Sequence, residues 1–215
     1  MTGPQRRVQL LDVGRALFAE RGFDGTSVEE VAASAGVSKP IVYDHFGGKE
    51  GLFEAVVDRE VADLLARFAA ALDGDDPRRL LEQATLALLG YVEQSPDGFR
   101  VLVRPAAGPW GDTPAASVLS AVGARVEHLL AARLTASRAF AGLYAQALVG
   151  QGTLVGQWWL EHPEHTRAEV AARLVDLVWH GLSGLQAEPV LTTLALPAPR
   201  PDDVSPPSAG PAPRP

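Results

Sequence analysis

The sequence predicts an all-helical protein, and three observations lead to this prediction. Leucine, alanine and valine dominate the composition, and no β-branched runs alternate at period two. Apolar residues instead recur at three- and four-residue intervals along several segments. Between those segments stand glycine, proline and small polar residues, which are the usual start and stop signals of helices.

The first predicted helix covers residues 6–21 and follows a short tail. Leu17 and Phe18 belong to its apolar stripe, and Gly22 ends it. We expect this helix to brace the segment that follows, with Phe23 joining the same small core.

Two short helices are predicted next. Ser27 can cap the first, and Glu30 stands three residues later to complete a capping box. Gly36 can adopt a positive φ and end that helix. Ser38 is expected to cap the second helix, and Pro40 fits its first turn, where a missing N–H costs nothing.

Two short helices around an Ala-Gly-Val-Ser turn make a helix-turn-helix, a motif whose second helix lies in the major groove of DNA. The first quarter of the chain closely resembles the DNA-binding domain of the TetR family of bacterial transcriptional regulators. The matches stand in register over residues 16–23, Thr26-Ser27-Val28, Ile41-Val42-Tyr43, His45-Phe46, Lys49-Glu50 and Leu52-Phe53. We therefore expect a three-helix helix-turn-helix DNA-binding domain over residues 1–50.

The resemblance also assigns positions that face DNA. Lys39, Pro40 and Ile41 match positions that face base edges, where Lys39 can donate to guanine O6 and N7 and the apolar pair can meet a thymine methyl group. The other assigned residues match backbone-contact positions or stand at the starts of the two helices of the motif: Thr26, Ser27, Ser38, Tyr43, His45 and Lys49. The alternative is that Tyr43 and His45 only pack within the small domain.

The charge of the chain argues weakly against nucleic acid. The net charge is −7, and residues 1–52 carry six basic and seven acidic side chains. This departs from the basic signature of DNA-binding domains. Placement matters more than the sum, because phosphates sense charges within about 8 Å. The deficit still lowers the expected affinity for non-specific DNA.

The rest of the chain is assigned to a C-terminal helical domain, residues 51–196, followed by a tail. Helices are predicted over residues 49–72, 78–93, 99–103, 115–134, 137–160 and 166–185, with a Pro/Gly-rich loop over 105–114. Residues 197–215 are rich in proline, alanine and serine and cannot bury enough apolar area to offset ordering, so we expect them to be disordered.

The resemblance implies that the C-terminal helices enclose a small-molecule pocket. The candidate lining residues are aromatic or amide side chains of that region: Phe68, Tyr91, Phe99, Trp110, Tyr144, Gln151 and Trp158. Aromatic residues on helices more often pack in a core or an interface, which is the alternative for each of them.

The last two helices are expected to form a homodimer, as the family resemblance also implies. One carries a stripe of small residues and the other a stripe of aliphatic ones, so two helices from each subunit can form a four-helix interface. The predicted interface residues are Gly152, Gly156, Trp159, Leu174, Val178, Gly181 and Leu185. The alternative is that both stripes pack only within one chain.

Several function classes find no support. The chain has no cysteine, which excludes disulfides and cysteine-based metal sites, and we expect no cofactor or metal. Its N-terminus lacks a long apolar run, so we expect neither a signal peptide nor a membrane span and place the protein in the cytoplasm. Three partial motifs, Gly48-Lys49, Gly181–Gly184 and Glu161–His165, lack the spacing or supporting residues of a phosphate loop, a nucleophile elbow or a metal site.

The sequence thus favours a TetR-like transcriptional regulator that is not an enzyme. We expect a repressor that a small hydrophobic ligand releases from double-stranded operator DNA. An alternative is a helical small-molecule binding protein without operator-specific DNA binding, which the acidic balance supports. A helical hydrolase is a third possibility, but no nucleophile–base signature accompanies it.

Overall fold

A computed structural model of the chain describes residues 1–103 and 138–185, together with positions 123, 124, 126–128 and 131. These residues confirm the all-helical fold class. The helices are α1 (Gly3–Arg21), α2 (Val28–Ala35), α3 (Lys39–Phe46), α4 (Lys49–Ala71), α5 (Pro77–Gln94), α6 (Pro96–Val103), α7 (Ala141–Glu161) and α8 (Arg167–Ser183). None of these described helices is long and apolar enough to cross a lipid bilayer. Trp110, most of the helix predicted over 115–134 and the tail after 196 lie outside the described residues.

Helix α1 begins at Gly3 and not at Arg6, because residues assigned to a tail form a capping box. The Thr2 hydroxyl accepts a hydrogen bond from the backbone N–H of Gln5 at 3.4 Å, and the Thr2 N–H donates to the Gln5 side chain at 2.9 Å. Each side chain thus accepts a hydrogen bond from a backbone N–H that has no partner within the helix. The Thr-x-x-Gln pattern is the local signal for this start, which apolar spacing alone does not reveal.

The ends of α2 agree with the prediction, whereas the start of α3 agrees only in part. Ser27 and Glu30 form the reciprocal capping box, and Gly36 ends α2 with a φ of 64° in the left-handed region. Ser38 precedes α3 without any hydrogen bond from its side chain to the helix. Ser38 therefore occupies the predicted N-cap position, but its side chain does not make the expected capping hydrogen bond, and the residue is exposed.

Helices α1 to α4 share one core at the N-terminal end of the chain. Val42 of α3 is fully buried, and the rings of Phe18, Phe23 and Phe53 pack together with centroid distances of 5.0 to 6.3 Å. Aromatic rings at such distances contribute contact energy beyond the area they bury. Helix α3 therefore rests on a braced platform made by its neighbours.

A buried carboxylate connects that platform to the following helices. Glu60 of α4 is only 3% exposed and accepts hydrogen bonds from Arg15 at 3.3 Å, Arg59 at 3.4 Å, the Tyr91 hydroxyl at 3.0 Å and the Ser95 hydroxyl at 3.1 Å. We call these five residues the Glu60 junction. Burial and the neighbouring Glu60 charge raise the pKa of the Tyr91 phenol far above its ordinary value, so it remains a donor.

Helix α6 packs directly on the Glu60 junction. It begins at Pro96, earlier than the predicted Phe99, because the proline occupies the first turn of the helix and does not interrupt it. A Cβ placed on Gly98 would overlap a carboxylate oxygen of Glu60 and crowd the Ser95 hydroxyl. Only glycine at this position permits such a close approach of α6 to α4.

The stripe of small residues on α7 faces the inside of the chain. A Cβ on Gly152 would lie 2.9 Å from Leu88 of α5, and one on Gly156 would lie 2.6 Å from the Phe99 ring of α6. Trp159, on the same stripe, is buried, and its indole donates to the His165 carbonyl at 2.8 Å. The prediction that these three residues form the dimer interface is wrong, because they make the intrachain contact.

The inner stripe of α8 is also buried within the chain. Leu174 and Val178 are each 8% exposed, and α8 packs against α5. This burial leaves them little surface for a partner chain, although Leu174 also lines an open groove between α7 and α8, and their place in the interface stays a prediction. From that set, Gly181 is exposed, and a Cβ added there would meet no atom within 4 Å, while Leu185 is partly exposed.

Replacing Gly156 tests the close contact between α7 and α6. In Gly156→Ala the new methyl group must displace the Phe99 ring, and we expect a loss of about 1–3 kcal/mol in unfolding free energy. Gly150→Ala on the same helix meets nothing within 4 Å and should gain up to about 1 kcal/mol from helix propensity. Urea denaturation at one protein concentration compares the two, and equal effects would contradict the packing.

Removing the buried carboxylate should cost more than removing one of its donors. Glu60→Ala leaves buried donors without an acceptor and should lower the unfolding free energy by about 3–5 kcal/mol. Tyr91→Phe keeps the ring and should cost about 1 kcal/mol. Glu54→Ala, at an exposed position of α4, should change stability by no more than about 0.5 kcal/mol. Chemical denaturation of the three variants tests this order.

Candidate nucleic-acid interface

Helix α3 divides into a buried face and an exposed face. Val42 is fully buried and Phe46 packs against the core, whereas Lys39, Pro40 and Tyr43 are exposed, Tyr43 by 52%. The exposed positions belong to one side of the helix and to its N-terminal turn. This is the part of a recognition helix that approaches base edges in a helix-turn-helix.

The C-terminal end of α3 is fixed by a cation from α1. The Arg7 guanidinium donates to the His45 carbonyl at 2.9 Å and lies over the Phe46 ring at 4.4 Å. A positive charge at a helix C-terminus complements the helix dipole and satisfies a free carbonyl. Arg7 therefore orients the recognition helix from behind.

Lys49 has a structural partner in the free protein. Its ammonium donates to the Phe23 carbonyl at 3.1 Å and lies 4.1 Å from the centre of the Phe23 ring. These contacts tie the start of α4 to the loop between α1 and α2. An ammonium has three donors, so a phosphate contact stays a prediction that is compatible with this position.

Thr26 does not face DNA. It is 3% exposed, and its hydroxyl donates to the Gly22 carbonyl at 2.8 Å and lies 3.3 Å from the Leu17 carbonyl. The expectation of a DNA contact is wrong, because the side chain closes the C-terminal end of α1. Ser27, its neighbour, is half-buried and uses its hydroxyl in the capping box with Glu30.

Two other residues that were predicted to contact DNA are only partly exposed. Ile41 is half-buried and packs against the core, so its methyl groups serve the fold as well as the surface. His45 is also half-buried, with its ring 6.1 Å from that of Phe46. The exposed part of the predicted set is therefore Ser38, Lys39, Pro40 and Tyr43.

Acidic residues accompany the cations on this surface. Glu29 of α2 forms an ion pair with Lys39, whose hydrogen bond holds the pKa of that carboxyl below its ordinary value. Glu30 forms an ion pair with Arg21 at 2.6 Å, and hydrogen bonds from Ser27 and the Arg21 charge lower its pKa. Both acids are ionised at neutral pH and are matched by a nearby positive charge.

The predicted effector-lining residues do not share one environment. Tyr91 and Phe99 are buried in the core, where Tyr91 belongs to the Glu60 junction and Phe99 packs against Gly156. Their role in lining a pocket stays a prediction. Phe68 packs against the core, and Tyr144 is half-buried. Gln151 and Trp158 line a groove between α7 and α8.

The outer face of α7 and α8 exposes large apolar side chains. Leu143 is 64% exposed, Leu154 67% and Leu177 64%, and Trp158 is 44% exposed. Between the two helices lies an open groove of about 410 Å³ lined mainly by apolar side chains, including Val155 and Trp158. Trp158 stacks on His162 at 4.4 Å and on His165 at 5.4 Å.

Sequence reasoning missed three residues that shape this region. Glu60 occupies a core position of α4, between Val56 and Leu64 at helical spacing, and that position was the available signal. Arg7 and Glu29 find their partners across the fold, and no local pattern in the sequence reveals such pairs.

Comparison with known proteins agrees with the geometry. The model of the bacterial regulatory proteins of the tetR family matches residues 10–56, and that of the tetracyclin repressor-like C-terminal domain matches residues 77–181. Together the two models cover most of the chain, from α1 to α8.

Two curated relatives match parts of the chain. One is the transcriptional activator FasR of Mycolicibacterium smegmatis, 36% identical over 99 residues, which are 46% of this chain and 45% of that protein. The other is the transcriptional repressor KstR2 of Rhodococcus jostii, 36% identical over 78 residues, 36% of this chain and 38% of that protein. The chain thus spans less than half the length of either.

A solved structure matches over almost its whole length. The crystal structure of a TetR-like transcriptional regulator from Rhodococcus sp. RHA1 superposes with a TM-score of 0.71 at 33% identity, covering 84% of this chain and 97% of that one. Family models, helix order and the helix-turn-helix geometry agree. The chain belongs to the TetR family of bacterial DNA-binding transcriptional regulators.

Proposed function

We propose that this protein binds a pseudo-palindromic operator as a homodimer and represses transcription until a small, mostly apolar effector releases it. The observation that carries the proposal is the state of α3. Its N-terminal turn exposes Lys39, Pro40 and Tyr43, while Val42 and the Arg7 contact fix its opposite side and its far end. A rigid helix with an exposed reading face suits the major groove.

A helical small-molecule binding protein without operator binding is the weaker candidate. Its support is the excess of acidic residues near the N-terminus. Two of those acids, Glu29 and Glu30, are neutralised by Lys39 and Arg21 in ion pairs. The acidic balance therefore does not present a bare negative surface at these positions, and the main argument for the alternative becomes weaker.

The dimer is proposed to form through the outer face of α7 and α8, which we define as Leu143, Leu154, Trp158, Leu177 and Gly181. Exposed apolar side chains of this size on adjacent helices favour a protein partner. Gly181 leaves room for a close helix approach. A two-fold arrangement is also required to place two recognition helices about 34–36 Å apart on a palindrome.

Repression and effector release rest on the family resemblance. An effector that binds the DNA-incompetent conformation better shifts the population away from the operator-bound form. One of the two curated relatives is named a transcriptional activator and the other a transcriptional repressor. Transcription from the operator, measured with and without the protein, shows whether this chain represses or activates.

Changes at α3 should separate base reading from general affinity. Lys39→Ala should relax preference at one base pair of a selected operator by about 1–3 kcal/mol. Tyr43→Phe removes one hydroxyl donor and should weaken all duplexes alike, by about 1 kcal/mol. Fluorescence anisotropy against operator variants measures both, with Arg78→Ala on α5 as the control. Equal losses on all duplexes for Lys39→Ala would contradict its base-reading role.

Charges placed on the outer face should dissociate the dimer. Leu154→Glu and Leu177→Glu should each convert the protein toward monomer at micromolar concentration and weaken operator binding, because a carboxylate cannot be buried without a partner. Leu65→Glu, at an exposed leucine of α4, is the matched control and should leave association intact. Sedimentation analysis tests this, and a monomeric wild-type protein would remove the two-fold arrangement.

A further inference from the structure

We propose that Glu29 is a specificity-determining residue of the DNA-binding surface. Its carboxylate holds Lys39 in position for a guanine and opposes binding to DNA that offers no such acceptor. The inference rests on the proposed function, because it concerns the surface that we expect to meet the operator.

The position of the pair supports this role. Glu29 lies in the first turn of α2, and Lys39 is the first residue of α3, so their ion pair bridges the N-terminal ends of the two helices of the motif. Both side chains remain more than half exposed, Glu29 by 57% and Lys39 by 52%. The pair therefore lies on the open side of the motif and not in its core.

Fold stability does not account for the pair. Exposed ion pairs contribute little to stability because water and salt screen them. An acid in the first turn of α2 already interacts favourably with the helix dipole and needs no lysine for that. The arrangement is better explained by what it does to the charge presented to DNA.

On non-specific DNA the pair weakens binding. Affinity for such DNA comes from counterions released when lysine and arginine neutralise phosphates. A lysine already paired with a carboxylate releases fewer, and the carboxylate itself is repelled by nearby phosphates. Another cation of the region, Arg21, is likewise paired with a carboxylate, that of Glu30, which lowers the general attraction further.

At a site that contains guanine the same pair is compatible with binding. An ammonium group has three donors, so Lys39 can keep one hydrogen bond to Glu29 while it donates to guanine O6 or N7. The carboxylate then restricts the direction in which Lys39 points. The repulsion between Glu29 and phosphate is offset only where a base edge accepts hydrogen bonds from the remaining N–H groups of Lys39.

The test compares Glu29→Gln with the wild-type full chain on two duplexes, an operator obtained by selection from random DNA and a shuffled duplex of equal length. Glu29→Gln should tighten binding to the shuffled duplex and steepen its salt dependence by about 0.9 in log–log slope, roughly a threefold larger loss over a fourfold rise in salt. Operator affinity should change less, so the ratio of the two affinities falls.

A matched control separates local from global charge. Glu82 of α5 forms a comparable ion pair with Arg78 at 3.4 Å, with both side chains about half exposed. Glu82→Gln makes the same change in net charge and should leave the affinity ratio unchanged. Thermal unfolding followed by circular dichroism should show that both glutamine variants keep the fold, since each replaced side chain is exposed.

A double variant tests whether Glu29 acts through Lys39. In a Lys39→Ala background, Glu29→Gln should shift both duplexes by a similar factor and leave their ratio unchanged. If Glu29→Gln prefers the operator over the shuffled duplex as strongly as the wild type does, this inference is wrong while the proposed function stands. A wild-type protein that prefers no duplex at all would overturn the proposed function, and this inference with it.

Discussion

The buried carboxylate of Glu60 is the constraint on which the described structure depends. A charge this deeply buried requires its hydrogen-bond donors, and those donors come from α1, from α4 itself and from the end of α5. Gly98 brings α6 against the same group. The platform under α3 is therefore fixed to the following helices by a polar contact with strict geometry. A displacement of α6 must disturb that contact, because Gly98 lies directly against the Glu60 carboxylate.

Local signals carried most of the fold prediction. The Ser27–Glu30 box, Gly36 and the apolar spacing of α4 act within a few residues, so the sequence alone was enough to place those helices. The face of α7 that turns inward could not be assigned in this way. Small residues permit close packing against either a second chain or the same one. The small residues of α7 pack within the chain because they contact Leu88 and Phe99, which come from distant parts of the sequence.

The candidate site was predictable in outline but not in its partners. The register of the motif predicted the exposed group around Lys39 and Tyr43, whose DNA contacts stay predictions. Thr26 is polar and precedes a helix, which made it a candidate for the surface, yet its hydroxyl bonds to the Gly22 carbonyl. Such pairings depend on how α1, α2 and α3 pack, and a sequence pattern confined to one helix does not contain that information.

The two faces of α7 have a consequence for biosynthesis. The inner face, with Gly152 and Gly156, packs on α5 and α6, which leave the ribosome before it, so that face can be covered as soon as α7 is made. The outer leucines, Leu143 and Leu154, find no such cover in the described part of the chain. A newly made chain therefore presents an apolar surface to chaperones and to other nascent chains. If the proposed dimer forms through this surface, the chance of aggregation depends on how quickly the chain meets a second copy.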